Sequence, residues 1–345
     1  MIGGPQKSSQ THLHFTSLPD LAARPAGGAV VWANDDLFAE RENLITAKPA
    51  EFRPATFGHK GQIYDGWETR RRRDAGPDDH DSAIVRLGAP AIIAGVVVDT
   101  AWFTGNYPPQ ISVEAAFVQG YPSAEDLAHR TQWTTIVERA NVNGDTRNPF
   151  EARSSRRWTH VRLSIYPDGG VARLRVHGQG LLDPRLVDGI PLDLAALDNG
   201  ARVTACSNMF YSSPNNLLLP GTAHTMGEGW ETSRRRDNGN DWVQVQLAGQ
   251  GVLTVAELDT SYFLGNAPGS ARLVGRDDGG DWFELLPRTD LQPDTRHRFL
   301  LSSQRPVTDA RLEVFPDGGM ARLRLFGRLT ETGLLRVADK WAAAA

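Results

Sequence analysis

The chain has 345 residues, 40% of them hydrophobic, with a formal net charge of −4 and a pI near 6.1. These figures describe a globular protein of about two domains. They argue against nucleic acid as a partner, because such proteins carry a basic excess on the face that meets phosphates. Cys206 is the single cysteine, which excludes an intrachain disulfide and points to a reducing cytoplasm.

In chain order, residues 1–17 contain no apolar core of a signal peptide and read as an N-terminal tail. The next block, "LPDLAARPAGGAVVWANDDLF", returns as "PLDLAALDNGARVTACSNMF". "DGWETRRRRD" returns as "EGWETSRRRD", "VVVDTAWFTGNYPP" as "AELDTSYFLGNAPG", and "VRLSIYPDGGVARLRVHG" as "ARLEVFPDGGMARLRLFG". The offset falls from about 173 to 163, 160 and 149, as small deletions in the second copy would produce. The chain therefore reads as repeat 1 over 18–178, a linker at 179–190, repeat 2 over 191–330, and a C-terminal tail at 331–345.

Within each repeat the pattern is mostly strand. Val161, Leu163 and Ile165 alternate with polar residues, as do Ala172, Leu174 and Val176. The Pro-Asp-Gly-Gly between them predicts an antiparallel hairpin. "AIIAGVVVDT" and "GVLTVAELDT" predict strands buried on both faces. The longest apolar run, "APAIIAGVVV", is far short of the roughly 20 residues a membrane helix needs. Short helices are predicted near "IPLDLAALDNG", stopped by Gly200, and over 123–132, with Ser123 as N-cap. The fold class is all-β: two tandem antiparallel sandwiches from an internal duplication.

The duplication shows which polar residues recur: Glu68 with Glu231, the arginine runs, Asp81 with Asp241, Asp99 with Asp259, Asn106 with Asn266, and Asp168 with Asp317. Asp99 sits at a strand end, where its carboxylate either caps the following turn or serves a site. Asn106 and Asp168 suit turns. On an extended segment, alternate residues share a face, so at most two of Arg70, Arg71, Arg72 and Arg73 would enter one pocket, with Glu68 beside Arg70. A forked guanidinium grips a carboxylate bidentately, so this pattern suits a small acid that also carries amide-type donors. His80-Asp81 is a weak acid/base or metal-site fragment with no third ligand. No phosphate loop, nucleophile elbow or CxxC occurs, and no metal or other cofactor is expected.

These blocks resemble the allantoicase family over about residues 18–330. "DDLFAERENLI", "DGWETRRRR", "VDTAWFTGNYPP" and "YPDGG" carry the likeness in repeat 1, with "NLLLPG", "GWET", "DT", "GN" and "FPDGG" in repeat 2. The resemblance implies two jelly-roll sandwiches of the galactose-binding-like type. It also implies hydrolysis of allantoate to ureidoglycolate and urea in purine degradation, and a homo-oligomer. On that substrate, Arg70 and Arg72 are expected on the carboxylate. Glu68, Asp99 and His80 are the acid/base or ureido-binding candidates, and Asn106, Thr100 and Glu114 are further substrate contacts. This chain has His80-Asp81-Ser82 where the family tends to have His-Asp-Trp, and the place in the second copy that matches Glu114 is near Val274. Catalysis is thus expected mainly from repeat 1 or at an interface. The alternatives are a non-catalytic binding protein of the same fold and a hydrolase of another ureido acid.

Overall fold

The computed structural model describes residues 14–152 and 154–345, so most of the expected N-terminal tail lies outside the described residues. Repeat 1 contains β1 (Ala29–Ala33), β2 (Trp67–Glu68), β3 (Asp81–Asp99), β4 (Gln110–Ala116), helix α1 (Ala124–Arg130), β5 (Thr134–Asn141), β6 (Arg147–Glu151), β7 (Arg157–Tyr166), β8 (Gly170–Val171) and β9 (Arg173–Gly180). β3 belongs to two layers. Its first part pairs with β1 and β7, and β7 continues through β4 to β5. Its last part pairs with β6 on one side and β9 on the other. The register breaks between Arg86 and Ala91, where the strand passes from one layer to the other. The layers bury Val85, Val96, Val98, Ile111, Leu163 and Leu174 between them.

Repeat 2 repeats this plan with β10 (Arg202–Cys206), β11 (Trp230–Glu231), β12 (Asp241–Asp259), β13 (Ser270–Arg276), β14 (Phe283–Asp290), β15 (Arg296–Leu300), β16 (Val307–Phe315), β17 (Gly319–Met320) and β18 (Arg322–Leu329). The 19-residue β12 again spans both layers, pairing with β10 and β16, then with β15 and β18. The fold is the expected all-β pair of sandwiches.

Two local expectations need correction. The strands flanking Pro-Asp-Gly-Gly form no hairpin: β7 and β9 pair with different parts of β3, so the turn carries the chain across the sandwich. Alternation reports that each strand has one buried face, and it cannot say which strand lies beside it. The segment after Pro191 is a short strand pairing followed by a single 3₁₀ turn, Leu197–Asn199, with no α-helix. Gly200 does end that turn, at φ +98°. The second helix forms as expected, with Ser123 accepting the Asp126 N–H.

Residues after repeat 2 form α2 (Glu331–Ala343), N-capped by Thr330. Its end returns to repeat 1. The Arg157 N–H donates to the Ala344 carbonyl at 2.7 Å, and the Arg157 guanidinium lies 4.5 Å from the Trp341 ring, which meets Phe117 edge-on.

Candidate functional site

The repeated Trp-Glu dipeptide is the fixed point. Trp67 is fully buried and donates its indole N–H to the Asp35 carbonyl at 2.7 Å. Glu68 pairs across β2 with Gly170 of β8. Only glycine fits at that partner position, because a Cβ on Gly170 would stand 2.0 Å from Phe103 Cε1. Beyond Glu68 the strand ends, and side-chain carboxylates take over its amides. Asp35 accepts the Arg70 N–H at 3.0 Å and Asp168 accepts the Arg72 N–H at 2.6 Å.

Because the segment is no longer pleated, the alternation argument fails. Arg70, Arg71 and Arg72 all line one cleft of about 350 Å³, together with Asn34, Asp35 and Asp81. Two of the guanidiniums are matched to carboxylates. Arg70 Nε pairs with Asp35. Arg72 donates to Asp81 Oδ1 through Nε at 3.1 Å and Nη2 at 2.6 Å, and Asn34 Nδ2 donates to the same oxygen at 2.6 Å. Asp81 is 1% exposed, and its other oxygen is enclosed without a hydrogen bond. Burial pushes the Asp35 carboxyl up, but the Leu37 and Arg70 amides and the Arg70 guanidinium outweigh it and hold the group below the ordinary range. The hydrogen bond to Asp81 raises Arg72 further.

Glu68 lies outside this lining, no more than about 7 Å from Arg70 along an extended backbone. Its Oε1 accepts the Asn106 amide at 2.7 Å. Burial pushes the Glu68 carboxyl above the ordinary carboxylate range, against the lowering effect of that hydrogen bond.

The other sequence candidates stand apart from the cleft lining. Asp99 Oδ1 accepts the Ala101 N–H at 2.9 Å, the turn-capping arrangement. Thr100 is fully buried, and its hydroxyl donates toward the Asn143 and Thr146 carbonyls at 2.6 and 3.0 Å. Glu114 accepts Arg162 Nε at 2.7 Å. His80 is exposed, with Nδ1 2.9 Å from the Asp78 carbonyl and its ring 5.2 Å from that of Tyr166. Asn34, Asp35 and Arg71 were not singled out from sequence. The only signal for the first two was their place in the "WANDDLF" block: beyond the local Leu37 N–H that Asp35 accepts at 3.0 Å, the groups they meet, Asp81, Ser82 and Arg70, lie more than thirty residues away. Among the described residues, no three His, Cys, Asp or Glu side chains group as metal ligands.

Repeat 2 builds the same frame with different groups. Trp230 donates to the Asn208 carbonyl at 2.9 Å, Asp317 accepts the Arg235 N–H at 2.8 Å, and Glu231 accepts Asn266 Nδ2 at 2.6 Å. Where repeat 1 has the Arg70–Asp35 ion pair, repeat 2 has Ser233 bonded to Asn208 at 2.7 Å. Arg235 serves both Asp241 and Asp237, at 2.8 Å each.

Comparison with known proteins agrees with this architecture. The allantoicase repeat profile matches residues 19–181 and 192–330. A probable allantoicase of Nocardia farcinica is 61% identical over 91% of this chain and 95% of its own length. An allantoicase of Dictyostelium discoideum is 39% identical over 90% of this chain and 87% of its own. The crystal structure of allantoicase from Saccharomyces cerevisiae superposes with a TM-score of 0.80 at 33% identity, covering 93% of this chain and 98% of that one. By profile, sequence and structure, the chain belongs to the allantoicase family.

Proposed function

We propose that this chain hydrolyses allantoate with water to ureidoglycolate and urea, a step in purine degradation, and that the arginine cleft of repeat 1 receives the substrate carboxylate. The observation that carries the reaction is the full-length identity to relatives named allantoicase. The cleft supports the placement, since it brings three arginines together where repeat 2 has Ser233 in place of the first. Cleaving the C–N bond requires a proton on the departing ureido nitrogen and the loss of one from the attacking water. Glu68 is the assigned proton donor. A carboxyl raised by burial stays protonated closer to neutral pH, which suits that role. Asp99 and His80 are the candidates for the water's proton, and Asn106 orients Glu68.

The decisive assay incubates purified protein with allantoate, with and without a chelator, and measures urea and ureidoglycolate. Stoichiometric release of both supports the reading, and no urea from allantoate ends it. Two further proposals accompany it. A cytoplasmic setting follows from the single Cys206, and a homo-oligomer is open to a solution mass measurement. Among the described residues, no helix is long and apolar enough to cross a membrane.

A further inference from the structure

The cleft is lined by three arginines, Arg70, Arg71 and Arg72, and by two aspartates, Asp35 and Asp81. Arg70 is tied to Asp35 and Arg72 to Asp81. Arg71 is exposed, lines the same cleft, and donates to no acceptor among the described residues. The unbalanced charge of the cleft therefore sits on Arg71. The matched residue of repeat 2, Arg234, stands beside the neutral Asn208–Ser233 pair, and its neighbour Arg235 is engaged by two carboxylates.

We infer that Arg71 is the residue that binds the substrate carboxylate and makes the cleft selective for a monoanion. Arg70 and Arg72 are positioning groups, already neutralised, that fix the backbone on either side of it. A single negative charge cancels the single excess positive one. A neutral ureido compound leaves the cleft charged, and a dianion overfills it. This inference rests on the allantoate reading for its substrate but not for its binding test.

The experiment compares wild type, Arg71→Gln, Arg71→Lys and Arg234→Gln. Arg71 is exposed and unpaired, so its variants are expected to fold, which thermal unfolding checks. With allantoate, Arg71→Gln is expected to raise KM roughly 10- to 100-fold, the range of a charge-assisted hydrogen-bond pair, with kcat within about threefold. Arg71→Lys should recover part of that loss, and Arg234→Gln should stay within about twofold of wild type. Calorimetric binding of N-carbamoylglycine, a ureido monoanion, should show the same loss in Arg71→Gln. Binding of N-carbamoylglycinamide, its neutral amide, should be weak in both proteins and unchanged by the substitution. An unaltered KM and unaltered N-carbamoylglycine affinity in Arg71→Gln overturn the inference. So does an equal loss for the neutral amide, no recovery with lysine, or a comparable loss in Arg234→Gln. A wild-type protein that binds N-carbamoylglycine through Arg71 yet releases no urea from allantoate would sink the reaction and leave this assignment standing.

Discussion

Repeat 1 places Arg70 two residues after its buried Trp-Glu pair, and repeat 2 places Ser233 there; the residues that answer them are Asp35 and Asn208. Everything beneath is shared: the indole bonded to a carbonyl, the glutamate bonded to an asparagine, the turn aspartate gripping an arginine amide. The contrast separates two kinds of recurrence. Groups kept in both copies hold the turn against the sandwich, and the groups that differ exchange the Arg70–Asp35 ion pair for the neutral Ser233–Asn208 pair beside an arginine that both copies keep. A recurring polar residue is therefore evidence first about folding, and what surrounds it in each copy decides whether it also serves the chemistry.

The sharpest way to break this contrast is to remove the buried aspartate from each copy. Asp81→Ala and Asp241→Ala should each cost about 2–3 kcal/mol in denaturant unfolding. That is less than for a fully buried pair, because Arg72 and Arg235 reach solvent. Urea release should separate them. Asp81→Ala frees Arg72 and Asn34 and should lower kcat/KM roughly 100-fold, as misplacement of a binding group does, whereas Asp241→Ala should change it less than about threefold. Equal activity losses would mean that the copies share the chemistry.

Acid should also tell the copies apart. His160 of β7 is 4% exposed, and burial, with help from Arg86, lowers its pKa from 6.5 to about 4. The folded state thus favours the neutral ring, and the unfolded chain takes up the proton first as pH falls. The stabilising difference is complete above about 6.5 and is lost as pH drops toward 4, amounting to about 3 kcal/mol. His160→Gln should remove that part of the pH dependence, read as unfolding free energies at pH 7 and pH 4. Repeat 2 carries Asp309 at the matching point of its strand pairing, opposite Gln246 as His160 is opposite Arg86.

Smaller effects follow from exposed contacts. Trp341→Ala removes the ring that lies against the Arg157 guanidinium and meets Phe117 edge-on, and should cost about 1–2 kcal/mol. Converting repeat 1 toward repeat 2 with Asp35→Asn and Arg70→Ser removes one charge of each sign. Arg70 is 64% exposed, so stability should change by less than about 1 kcal/mol. KM for allantoate should rise less than about 10-fold, because Arg71 keeps the excess charge. A larger rise would move the binding role onto Arg70.

The sequence made the duplication and its strand-rich nature legible because they are written in long, ordered blocks and in period-two burial. Ser123 was readable as a cap because its partner lies three residues away. Its place in the cleft made Asp35 unreadable, since besides the nearby Leu37 N–H it accepts the Arg70 amide, which is reached only after folding. The Pro-Asp-Gly-Gly hairpin failed for the same reason, as turn chemistry fixes a reversal and not the layer into which the chain reverses. Alternation along the arginine run failed because carboxylates, not a neighbouring strand, hold the backbone there.

The return of α2 to β7 has a consequence for how the duplicated halves lose their structure. The last ordered turn of the chain is hydrogen-bonded to a central strand of the first half. Opening the second half therefore pulls at the first, and the two are expected to melt in one calorimetric transition rather than in sequence. The second copy is thereby tied to the first as a thermodynamic partner.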